Sequence, residues 1–149
     1  MLIYSKVVYN LADLVNSVNI MAKQGTVEGQ WAIGKNMIKC VLPLISFFED
    51  NCFITYCPAL DISGYGENET EADKSFEVVL SEYFKYTVNK NTLADDLTKM
   101  GWTIRKSMHK SPIPPTMGKL LETNEDFNRI FNNNEFRKTN RTINIPSFA

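Results

Sequence analysis

The sequence predicts an α+β fold, in which a small antiparallel sheet carries one long helix packed across it. Three observations carry that prediction. Residues 38–48 alternate apolar side chains on both faces, turn at Glu49-Asp50-Asn51 and return through Cys52 to Tyr56, as a β-hairpin does. A capped amphipathic helix follows after Gly64-Tyr65-Gly66. The 149 residues, 44% hydrophobic, suffice for one domain with a core of its own.

The elements follow in chain order. In residues 1–36, Leu11, Leu14, Val15, Val18 and Met21 have helical spacing, but asparagines, β-branched residues and three glycines interrupt it. This leader is open to two readings, a docking helix or translated sequence upstream of a start at Met37. From Ile38 the first strand is apolar on both sides, so both faces are expected to be covered. Pro43 cannot donate to a ladder, which places it at an edge or a bulge. Pro58 ends the second strand, and Ile62 to Tyr65 is a short third one. Asn68 and Glu71 form a capping box, and Ala72, Phe76, Val79, Leu80, Tyr83 and Phe84 make one apolar stripe over about five helical turns. Glu69, Glu71 and Asp73 sit where the helix dipole favours acids. Thr92 caps a shorter helix with Leu93 and Leu97 inward, and Gly101 stops it. Trp102 to Arg105 reads as a fourth strand. Beyond it, Pro112, Pro114 and Pro115 mark an extended linker. Two short helical pieces, 117–122 and 127–131, precede a polar strand over Phe136 to Ile145, which can add to a sheet edge of its own module or of a neighbouring subunit. The division is thus a leader (1–36), an α+β module (37–104) and a basic tail (105–149).

Charge is segregated along the chain. The net charge is −1, yet residues 45–100 hold eleven acids against four lysines, and residues 101–149 hold eight lysines or arginines against four acids. This pattern means intramolecular or subunit complementarity, or a basic partner on the middle segment, or simply solvated faces. The near-neutral total argues against a chain that coats nucleic acid or anionic lipid as a whole. Cys40, Cys52 and Cys57 lack disulfide or zinc spacing and lie in apolar runs, as free thiols in a reducing cytoplasm do. No run of eighteen apolar residues exists, so no membrane span is expected.

No catalytic set is evident. His109 stands between lysines with no nucleophile or carboxylate at a telling spacing. Ser75 and Ser81 lack a nucleophile elbow, and the Gly64–Gly66 turn lacks the lysine of a phosphate loop. Asp61 and Glu67 could belong to a metal-dependent nuclease relic, since paired carboxylates hold Mg²⁺. Glu49 and Asp50 are more simply turn residues. Lys106, Lys110, Arg137, Lys138 and Arg141 could contact nucleic-acid phosphates, although no helix-turn-helix accompanies them. No cofactor is expected.

The motif Cys57-Pro58-x-Leu60, Gly64-x-Gly66, Asn68, Glu71-Ala72, Ser75-Phe76, continued by Leu80 and Tyr83, resembles the HicB-like antitoxin family over residues 37–104. Asn68 stands where that family usually has threonine. The resemblance implies a partial ribonuclease-H-like module without nuclease activity. It also implies a small basic, HicA-like, RNA-cleaving toxin as partner in a type II toxin–antitoxin system. Residues 105–149 depart from the family in having no evident DNA-binding domain. On this reading the protein is a cytoplasmic, non-enzymatic homo-oligomer that binds its partner through Asp61, Tyr65, Glu67 and Glu69.

Overall fold

A computed structural model of the protein describes residues 37–105 and 111–147. The leader, together with Lys106, His109 and Lys110, lies outside the described residues. Strand β1 (Met37–Glu49) turns through Asp50 and Asn51 into β2 (Cys52–Cys57). Both turn residues have positive φ, 50° and 59°, which a two-residue hairpin loop that follows the strand twist requires. A second turn, with Asp61 at φ 53°, leads to β3 (Ile62–Gly66).

Helix α1 (Glu69–Asn89) begins as its capping residues dictate, with one adjustment. The Asn68 side chain accepts from the Glu71 amide at 2.9 Å, but the Glu71 carboxylate reaches one residue beyond the cap, to the amide of Glu67 at 2.9 Å. Every residue of the expected stripe is buried. Helix α2 (Leu93–Lys99) buries Leu93 and Leu97 as expected, although the Thr92 side chain makes no capping bond.

The fourth strand of the sheet is not Trp102–Arg105. Among the described residues that segment's one strand-like pairing is an isolated bridge between Thr103 and Ile113. Gly101 at φ 92° redirects the chain, and the buried Trp102 indole donates to the carbonyl of Ala59 at 2.6 Å. Burying this large ring beneath the β2–β3 turn outweighs sheet pairing there. Nor is the tail an extended appendage. It folds into α3 (Met117–Thr123), α4 (Glu125–Asn133) and β4 (Phe136–Pro146), and β4 pairs with β1 antiparallel from Met37↔Pro146 to Phe47↔Phe136. The sheet order is β3-β2-β1-β4, antiparallel throughout.

This arrangement reconciles Pro43 with a strand that has neighbours on both sides. Pairing of β1 with β2 stops at Ile45↔Tyr56, so Pro43 is flanked by β4 alone. A single crossover helix would have returned the chain parallel to β1. Here α2, α3 and α4 intervene, and β4 runs the other way.

The sheet is covered on both faces. Leu42, Leu44, Cys57 and Ile62 face α1, together with Ile143 and Ile145 of β4. Gly64 makes the close approach possible, because a Cβ there would lie 2.6 Å from the Ala72 carbonyl oxygen. Ile45, Phe47, Ile54 and Tyr56 occupy the opposite face, where Leu120, Phe127 and Ile130 of α3 and α4 are buried. Among the described residues no helix is long and apolar enough to cross a membrane.

Candidate functional site

Helix α1 places Glu69, Asp73 and Glu77 four residues apart, which is one row along its surface. The row lies over the sheet beside β4, whose Arg137 and Arg141 point to the same face. Arg137 donates to Glu69 at 2.7 Å. Arg141 spans two carboxylates, donating to Asp73 at 3.1 Å and Glu77 at 2.9 Å, with its guanidinium carbon 5.9 Å from the centre of the Phe76 ring. Asp73 also accepts from the Thr55 hydroxyl at 2.8 Å, which anchors the row to β2. Three acids of the middle segment and two arginines of the tail therefore pair within the chain. This is the intramolecular form of the complementarity that the sequence left open.

These contacts redistribute the sequence-predicted residues. Glu67 and Glu69 come together at the exposed start of α1, where the Glu71 carboxylate accepts from the Glu67 amide. Tyr65 points to the opposite face of β3, within 3.1 Å of the Ser63 hydroxyl, and its amide donates to Ser75 of α1 at 2.9 Å. Asp61 lies at the far end of β3, about 20 Å from Glu67 at the rise of a strand. The four do not form one surface, and Asp61 and Glu67 do not share a metal site. Arg137 and Arg141 are held by α1, whereas Lys138 stands exposed on the other face of β4. Among the described residues no group of three His, Cys, Asp or Glu side chains is gathered to hold a metal ion.

Asp61 belongs instead to a polar cleft of 390 Å³ between the β2–β3 turn, the end of α2 and the α3–α4 junction. Asn124 donates to the buried Tyr56 hydroxyl at 2.8 Å, and Tyr56 donates to Asp61 at 2.9 Å. Burial first, and then the charge of Asp61, push the Tyr56 phenol above its ordinary range, so it is neutral. Asp126, on the cleft wall, is also raised, by burial first and then by Asp61. Asn124 additionally caps α4 by accepting from the Phe127 amide at 2.9 Å. The cleft thus ties α4 to the sheet through hydrogen bonds that hold Asp61 as an acceptor. Cys57 is no nucleophile, since burial pushes its thiol up to about 12.

The sequence leads one to expect both faces of β1 to be covered, yet Val41 is 60% exposed. Phe48 reads there as a covered strand residue, yet it is 53% exposed. It stands opposite Phe53, with ring centroids 5.0 Å apart and planes at 61°. Its place beside the hairpin turn was the available signal, because a strand tip easily outruns the helix that covers the strand.

The chain matches no family model, no curated protein and no solved structure.

Proposed function

We infer that this protein is a non-enzymatic, antitoxin-like binding module, built on the HicB type, that sequesters a small basic RNA-cleaving toxin. The observation that carries the reading is the acidic row of α1. Glu69, Asp73 and Glu77 already hold two arginines, so their spacing and exposure suit guanidinium groups. The exposed Arg137–Glu69 pair is worth about 1 kcal/mol or less, so a partner's cation can displace it at small cost. Acids on this face would also steer a basic partner toward it and raise its association rate. The resemblance around Cys57–Tyr83 supplies the identity of that partner, and the module works as a homo-oligomer. Nucleic acid is the weaker reading, because Arg137 and Arg141 are held by carboxylates.

The test is purification of the tagged protein from its native host, with native mass spectrometry of the complex and of its oligomeric state. A stoichiometric small basic protein that cleaves RNA when freed is the expected result. The double variant Glu67→Lys/Glu69→Lys should lose that partner while its thermal midpoint stays close to that of the parent. Recovery of the bare protein at low salt would overturn the reading.

A further inference from the structure

The hairpin end of the sheet carries an apolar centre within an acidic rim. Phe48 and Phe53 are paired across β1 and β2, on the face where α1 lies. Next to Phe53 comes Gly66 in the register, and α1 packs its first turn there through Glu71 and Ala72. The helix goes no further, and Phe48 is left open beyond it. Five exposed carboxylates surround the pair. Glu67, Glu69 and Glu71 lie at the start of α1, and Asp50 is in the turn. Glu135 is one step past the register pair Phe47↔Phe136, beside Phe48. Two cations reach this end of the sheet, and both are held by carboxylates, Arg137 by Glu69 and Arg129 by Glu49 on the opposite face.

Aromatic side chains clustered within a polar rim have the anatomy of an interaction hot spot. The sign of the rim selects the occupant. Exposed rings could stack nucleobases, but five carboxylates repel the phosphates that accompany them. An anionic lipid surface is disfavoured for the same reason, and a second copy of this chain would set two acidic rims against each other. A basic protein segment meets neither objection. We propose that the Phe48–Phe53 end of the sheet is a docking surface for a lysine- or arginine-rich protein segment that seats one apolar side chain on the two rings. The inference rests on the protein-binding reading above for its class of partner, and on this patch for where and how the partner binds.

The experiment uses the full chain, isotope-labelled, titrated with a lysine-rich heptapeptide that has tryptophan at its centre. The same peptide with serine at the centre is the control. Amide shifts at Phe48, Phe53 and Glu67–Glu71 are expected with the tryptophan peptide, and at least tenfold weaker binding with the serine peptide. Phe48→Ser should weaken the tryptophan peptide tenfold or more, whereas Phe48→Tyr, which keeps the ring, should bind as the parent does. Equal affinity for the two peptides, or unchanged binding by Phe48→Ser, would overturn the proposal, because acids alone would then account for the attraction. A toxin that copurifies with Phe48→Ser as well as with the parent overturns this surface and leaves the antitoxin reading standing. Tryptophan-peptide binding at Phe48 in a protein with no toxin partner does the reverse.

Discussion

Asp126 sits in the first turn of α4, where the helix dipole favours a carboxylate, yet its acidity is weakened by partial burial and by Asp61 across the cleft. A carboxyl whose folded value is raised costs stability above that value, where it is ionised in a poor environment. The cost disappears once the pH falls below the unfolded value, where both states are protonated. Asp126→Asn should therefore raise the thermal midpoint at pH 7, and the difference from the parent should shrink to nothing in acid. Midpoints measured from pH 3 to pH 8 check this, and a constant difference across the range would show that packing rather than charge is responsible. The sequence had no means of pairing Asp126 with Asp61, which is 65 positions earlier.

At the scale of elements, α1 shows how local signals and long-range packing divide the work. Its start and its apolar stripe follow from Asn68 and from side chains at helical spacing, and both were legible. How closely it approaches the sheet is set by Gly64, where any side chain would run into the backbone of Ala72 and Phe76. A methyl group there cannot be absorbed by rotating a flexible side chain, so the helix itself would have to shift. Gly64→Ala should destabilise the protein by about 3 kcal/mol, at the upper end of ordinary overpacking. Urea unfolding measures it, and a loss under about 1 kcal/mol would mean that α1 slides easily on β3. Helices α3 and α4 were foreseen only as short pieces of a tail. What makes them part of the fold is Phe127 and Ile130 buried on the second face, and the Arg129–Glu49 pair at 2.8 Å that ties α4 to the hairpin.

For the whole molecule, β4 decides how the parts cohere. It pairs with β1 from Met37 to Phe47, buries Ile143 and Ile145, and delivers Arg137 and Arg141 to the acidic row. Two buried isoleucines account for roughly 3–6 kcal/mol of transfer free energy. That is a large share of the roughly 5–15 kcal/mol that stabilises an ordinary domain. Truncation after Asn134 should therefore abolish cooperative unfolding, with near-ultraviolet dichroism and thermal melts as the readout. A truncated chain that still melts sharply would show that residues 37–134 form a complete unit.

The α+β class, the hairpin about Asp50-Asn51, the third strand, the start and buried stripe of α1, and the strand character of Phe136–Ile145 were all legible in the chain. All of these rest on signals spanning a few residues: alternation, helical spacing, caps and turn chemistry. Long-range packing settled that β4, and not Trp102–Arg105, completes the sheet, because a strand's partner is chosen by burial, and β1 and β4 meet from distant parts of the chain. It also decided that the arginines of the tail meet the acids of α1. And it decided that Phe48 is left uncovered where the helix begins too late to reach it. Each of these depends on which surfaces come to face one another, which no local pattern in the chain records.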